Sequence, residues 1–197
     1  MKRIGMTQRV EIISSIGERR NALSQEWSAF AKECGFLPIF LPNDKKLAFQ
    51  MMEKLKLDGI LLTGGNDLIP YGGDAPERDE TEESLIVYAL KNEIPLLGVC
   101  RGMQMILNYF GVPLQKIEGH VRTEHELDTG DLVNSYHSFG AISCQEPLVV
   151  KAICKEDKVI EMVKHREQEM YGIMWHPERY HPFRKRDVMF MKKIFQI

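Results

Sequence analysis

The chain has 197 residues, 44% hydrophobic and 27% charged, with a formal net charge of −2. These values suit a globular protein of one domain, residues 1–197, with enough chain to bury a real core. They point away from bulk nucleic-acid binding, and no apolar stretch approaches the roughly 18 residues of a membrane span.

Taken in chain order, Arg3 to Met6 predicts a first strand and Thr7 to Asn21 a long polar loop. Ala22 to Cys34 predicts an amphipathic helix with Leu23, Trp27, Phe30 and Ala31 on one face, closed by Gly35. A strand over Phe36 to Leu41, a helix over Leu47 to Lys56 and a strand over Gly59 to Leu62 follow. Thr81 to Asn92 predicts a helix, and Ile94 to Leu97 is a short apolar run of the buried parallel-strand kind. Met103 to Phe110 has helical spacing and stops at Gly111. Beyond Val112 the pattern changes to short strand candidates around Leu132-Val133, Ala141 to Ser143, Val149 to Lys151 and Val159 to Glu161. Met170 to Trp175 reads as a late central strand, and Asp187 to Gln196 as the closing helix. The alternation predicts an α/β fold: a doubly wound, mostly parallel, flavodoxin-like sheet with helices on both faces. A small antiparallel region falls in the C-terminal half.

Four cysteines, Cys34, Cys100, Cys144 and Cys154, are scattered without metal-ligand or disulfide spacing. With no export-signal pattern at Met1 to Gly5 they read as reduced thiols in the cytoplasm, and Cys34, Cys144 and Cys154 as buried structural ones. No metal or organic cofactor is expected. Cys100 is different. In Gly98-Val99-Cys100-Arg101-Gly102-Met103-Gln104 it is flanked by glycine two residues away on each side, between a strand and a helix. A sharp strand-to-helix turn of that kind lifts a nucleophile above the sheet and aims it along a helix N-terminus, which favours thiolate.

Trp175-His176-Pro177-Glu178 follows the late central strand and offers an imidazole and a carboxylate on a stiff segment. Thr63-Gly64-Gly65-Asn66-Asp67 follows another strand. It reads as a turn, or as an oxyanion hole in which Gly65 N–H works beside the N–H of Arg101. Val133 to Phe139 ends a further strand in a polar cluster, and Gln104 lies one helical turn beyond Cys100 on the same cleft. In a doubly wound sheet all these motifs fall outside the strand carboxyl ends, where ligands bind.

Together the four motifs resemble the class I glutamine amidotransferase superfamily, over about residues 4 to 180. They resemble most its stand-alone γ-glutamyl hydrolase branch, which includes the γ-glutamyl-γ-aminobutyrate hydrolases; Arg78-Asp79-Glu80 with Glu82 is similar to that branch too. The resemblance implies a Cys100-His176-Glu178 triad and a γ-glutamyl thioester on Cys100. It implies oxyanion donors at Gly65 and Arg101, and substrate contacts from Gly64, Asn66, Gln104, Tyr136, His137, Ser138 and Phe139.

The leaving group is chosen by loops facing Cys100. Arg9, Arg19 and Arg20 on the long first loop, and Arg122 in Gly119 to Arg122, suit an anionic leaving group, and equally a solvated surface. The runs Ile4 to Arg9 and Glu18 to Asn21 look similar to γ-glutamyl-CDP-amidate hydrolases. These release cytidine diphosphoramidate on the way to phosphoramidate-decorated capsular polysaccharide. The implied partner is a small-molecule γ-glutamyl substrate, with homodimer formation left open and neither nucleic acid nor membrane. Two alternatives remain: a glutaminase subunit feeding ammonia to a separate synthase, and a non-catalytic binding module on the same fold.

Overall fold

The computed structural model describes all 197 residues. In chain order its elements are β1 (Arg3–Met6), β2 (Arg9–Ile13), β3 (Glu18–Ala22), α1 (Glu26–Cys34), β4 (Leu37–Phe40), α2 (Lys45–Lys54), β5 (Gly59–Leu62), α3 (Pro76–Asn92), β6 (Leu96–Val99), α4 (Arg101–Tyr109) and β7 (Gln115–Lys116). Then follow β8 (Val121–Glu126), β9 (Leu132–Tyr136), β10 (Phe139–Gly140), β11 (Leu148–Ile153), β12 (Ile160–His165), β13 (Met170–Ile173) and α5 (Lys185–Phe195). Seven strands form one sheet in the order β11-β12-β13-β6-β5-β1-β4. From β13 to β4 the neighbours are parallel, and β12 and β11 extend the sheet antiparallel.

The central strands are apolar on both sides because both faces are covered. Ile60, Leu62 and Leu96 enter one core with residues of α2, α3 and α4, while Leu61, Leu97 and Val99 enter another with α1 and α5. Helix α1 buries Trp27, Phe30, Ala31 and Cys34, one stripe at helical spacing, and stops at Gly35 with a left-handed φ of 84°. No helix is long and apolar enough to cross a membrane.

Five expectations need correction. Residues 7–21 are largely a hairpin: β2 and β3 pair antiparallel from Arg9↔Ala22 to Ile13↔Glu18. The pairing takes up Asn21 and Ala22, so α1 starts at Glu26. Strand β3 is polar on both faces and exposed over Glu18 to Asn21, so it shows no period-two signal. Helix α3 begins at Pro76 rather than Thr81, with Pro at its first turn and Glu77 and Asp79 beside the positive helix end. Residues 141–143 form no strand; only the Ala141 carbonyl is drawn in, accepting from Ile160 N at 2.8 Å. Cys34 and Cys154 are buried, but Cys144 is half-exposed.

Candidate active site

Three adjacent strands, β13, β6 and β5, deliver three of the motifs side by side at their carboxyl ends. At the end of β6 the chain reverses so tightly that only glycine fits. A Cβ on Gly98 would strike the backbone carbonyl of Gly102, and a Cβ on Gly102 would strike the Leu62 carbonyl. Cys100 sits at the apex with φ 53° and ψ −108°, a backbone region that costs a non-glycine residue about 1–3 kcal/mol. Its N–H donates to Ile173 O of β13 at 2.8 Å and its carbonyl accepts from Gln104 N at 3.0 Å, so both neighbours hold the strained residue. Arg101 opens α4, where the first amide groups have no intrahelical acceptor.

His176 and Glu178 lie past the end of β13. His176 Nδ1 donates to Glu178 Oε1 at 2.7 Å, and both side chains are almost fully buried. The backbone of His176 is gripped by Asn134 of β9, whose Oδ1 accepts from His176 N (2.8 Å) and whose Nδ2 donates to His176 O (3.0 Å). The Tyr136 ring stands edge-on to the imidazole at 5.5 Å, and the Arg179 guanidinium covers the ring at 4.1 Å. Burial pushes the His176 imidazole down, but the Glu178 carboxylate and the neighbouring Cys100 sulfur outweigh it and raise the group to about 10. A raised imidazole stabilises the fold fully below its ordinary 6.5, and that stability is lost as pH climbs towards about 10. Tm should therefore fall between pH 6.5 and 10, and by less in Glu178→Gln, as thermal melts across pH would record.

Gly64 closes the third side. A Cβ there would lie 2.7 Å from His176 Cε1 and 3.6 Å from Cys100 Cβ, so bare backbone is required beside the imidazole. Gly64→Ala should displace the ring and lower kcat by about a hundredfold, with little change in Tm. Steady-state kinetics beside a thermal melt separates the two effects.

The loop carrying Gly64 is held by Arg78 of α3, which is fully buried. Arg78 donates to the carbonyls of Thr63 (2.7 Å), Gly64 (3.2 Å) and Gly65 (2.5 Å), and to Glu82 Oε1 (2.9 Å). Arg101 pairs with Glu82 and with Asp79, so its guanidinium is consumed inside the protein. Asn66 is tied to β2, accepting from Val10 N (2.8 Å) and donating to Val10 O (2.9 Å). Thr7 adds a further anchor, its Oγ1 accepting from Thr63 N at 3.0 Å.

A cleft of about 260 Å³ opens over this arrangement, lined by Gly65, Asn66, Cys100, Arg101, Gln104, Tyr136, His137 and Ser138 among others. Gln104 Nε2 donates to Phe139 O at 2.9 Å, which fastens the Tyr136 to Phe139 loop to α4. Of the four arginines read from the sequence, Arg9 lies against Gly65 at the rim: a Cβ there would meet Arg9 Cδ at 2.9 Å. Arg19 donates to Glu77 and to the Asp74 carbonyl, and Arg20 pairs with Glu18 on the surface. Arg122 is exposed on β8 and is not among the cleft residues. Asn134, Arg78 and Glu82 are absent from the residues singled out for substrate or chemistry, although they hold those residues in place. A hollow of about 620 Å³ between α2 and α3 carries neither thiol nor imidazole.

Residues 24–194 match the family model for glutamine amidotransferase class-I. The chain belongs to that family. It is 36% identical over 184 residues to a gamma-glutamyl-CDP-amidate hydrolase of Campylobacter jejuni, covering 89% of this chain and 90% of that one. It is 32% identical over 143 residues to the glutamine-hydrolyzing GMP synthase subunit of Haloquadratum walsbyi, covering 66% and 71%. A glutamine amidotransferase of known structure from Thermotoga maritima shares the fold at a TM-score of 0.70 and 18% identity, covering 99% of this chain and 84% of that one.

Proposed function

We propose that this amidotransferase-family protein hydrolyses a γ-glutamyl amide through a thioester on Cys100, and that its substrate is γ-glutamyl-CDP-amidate. The observation that carries the chemistry is the buried Cys100-His176-Glu178 line, with Gly64 packed against the imidazole and Gly65 lining the cleft above.

The Cys100 thiolate attacks the γ-carbonyl carbon, and the carbonyl electrons move onto oxygen. The N–H groups of Gly65 and Arg101 hold that oxyanion; losing one such donor typically costs about 2.7–4 kcal/mol of transition-state stabilisation. Imidazolium His176 gives its proton to the amine nitrogen as the C–N bond breaks, which leaves a thioester and a neutral imidazole. His176 then takes a proton from water as water attacks the thioester. The C–S bond breaks, glutamate leaves, and the thiolate–imidazolium pair is restored. Glu178 orients the ring through Nδ1 and stabilises its charged form.

Two features support the nucleotide leaving group. The relative named for that reaction matches along most of both chains. The cleft of about 260 Å³ suits a glutamyl group, so a large amine must extend past the rim where Arg9 lies, its guanidinium now paired only with Glu11. Arg9→Ala should accordingly raise KM for the nucleotide amidate about tenfold, the scale of one charge-assisted contact, and leave KM for glutamine unchanged.

The deciding experiment is glutamate release from glutamine, γ-glutamyl-γ-aminobutyrate, γ-glutamyl dipeptides and γ-glutamyl-CDP-amidate. A kcat/KM preference for the nucleotide amidate supports the assignment. A preference for glutamine would favour the glutaminase-subunit reading, to which the GMP synthase relatives point.

A further inference from the structure

Three histidines and a glutamate converge on one point behind the cleft wall. His120 precedes β8, His125 lies on β8, His137 follows β9, and Glu161 is on β12. All four are buried, Glu161 completely. His120 Nδ1, His137 Nε2 and Glu161 Oε1 form a near-equilateral triangle, with sides of 3.3, 3.4 and 3.5 Å. The other oxygen, Glu161 Oε2, is 3.4 Å from His125 Nε2. Neither Glu161 oxygen and neither His125 ring nitrogen has a hydrogen-bond partner.

The outer nitrogens decide what the inner ones present. His120 Nε2 is 2.7 Å from Asp157 Oδ2, and His137 Nδ1 is 3.0 Å from the Phe139 carbonyl. Both outer atoms are therefore donors, so in the neutral rings His120 Nδ1 and His137 Nε2 are lone pairs. Three acceptors then face one another in a space closed to water, which is unfavourable unless a proton or a metal cation lies between them. The triangle is too wide for good hydrogen bonds, which run about 2.7–3.2 Å. It matches one face of a tetrahedron with metal bonds of about 2.0–2.1 Å, whose edge is about 3.4 Å. The outer contacts, one to a carboxylate and one to a carbonyl, are the ones that orient metal-binding imidazoles.

We propose that His120, His137 and Glu161 bind a divalent transition metal, with Zn²⁺ the best match. An imidazole-rich set with one carboxylate and tetrahedral edges favours Zn²⁺ over the harder Mg²⁺ or Ca²⁺. The ion would lie apart from the Cys100, His176 and Glu178 line, so its role would be structural. It would join the β8–β9 hairpin to β12 of the main sheet. It would also fix the His137 to Phe139 loop, whose carbonyl receives Gln104 in the cleft wall. This inference is independent of the hydrolase reading, because its readout is the metal.

The test uses tag-free Cys100→Ser protein, so that the Cys100 and His176 pair cannot hold the ion. Chelator-stripped protein is titrated with Zn²⁺ against a chromophoric competitor, with metal content by mass spectrometry and Tm in parallel. We expect about one Zn²⁺ per chain and a higher Tm on binding, as for any ligand that binds only the folded state. Asp157→Asn, at a half-exposed position, should weaken Zn²⁺ binding by about 10- to 100-fold. His120→Ala should abolish it. Folded protein that takes up no Zn²⁺, or takes it up equally well as His120→Ala, would overturn the proposal.

Discussion

Replacing Cys100 with alanine is expected to lower kcat on the order of 10⁶-fold, the scale seen when one member of a hydrolase triad is removed. The substitution deletes the atom that would carry the acyl group and little else, because the turn is held by backbone contacts to Ile173 and Gln104. His176→Ala should cost nearly as much, since His176 is the imidazole held beside Cys100 by Glu178 and Asn134. The double variant should be hardly worse than either single one, because the two groups act in the same steps. Glu178→Ala should cost less: it removes the partner that orients and charges the ring but leaves thiol and imidazole in place. A thermal melt of each variant checks that lost activity is not lost structure. A non-catalytic binding module would instead keep its cellular effect in Cys100→Ala.

The second large effect should come from Glu82, a residue outside the cleft. Its carboxylate lies between Arg78 and Arg101, and all three side chains are essentially inaccessible to water. Burial alone would raise its carboxyl group, but Arg101 and Arg78 outweigh that and hold it below the ordinary range. Removing one member of such a pair leaves a charge buried without its partner, typically a loss of about 3–5 kcal/mol. For a chain of this size Glu82→Ala should lower Tm by about 6–20 °C. Glu80→Ala is the control: Glu80 meets Lys45 at 3.4 Å with both side chains more than half exposed, so the loss should be about 0–1 kcal/mol. The sign with pH follows from the lowered carboxyl. Its contribution is present above its ordinary value of 4.5 and is lost as pH falls below that. Because Arg78 carries three carbonyls of the loop beside Cys100, the variant should also lose activity below its Tm.

What could be read in the sequence followed the apolar pattern. Gly59 to Leu62 and Met170 to Ile173 are continuous apolar or small runs, and the structure makes them central strands buried on both faces. The paired glycines around Cys100 announced the turn because backbone contacts on both sides exclude any Cβ. What stayed hidden was how the polar residues pair. Arg78, Glu82 and Arg101 have the composition of a solvated helix surface, and only their mutual pairing lets them be buried. The β2–β3 hairpin was masked by its exposed charges, and Asn134 works by gripping a backbone 42 residues away. The histidine cluster was invisible for the same reason. His120, His137 and Glu161 are brought together by the fold at spacings that match no short metal-binding motif.

The most direct measurement is a rapid acid quench of the protein during turnover of γ-glutamyl-CDP-amidate, followed by peptide mass spectrometry. The mass of one glutamyl residue is expected to appear on the peptide carrying Cys100, to rise before steady state, and to be lost when the thioester is hydrolysed. Turnover with that peptide unmodified at every quench time, or with the glutamyl group on another residue, would contradict it.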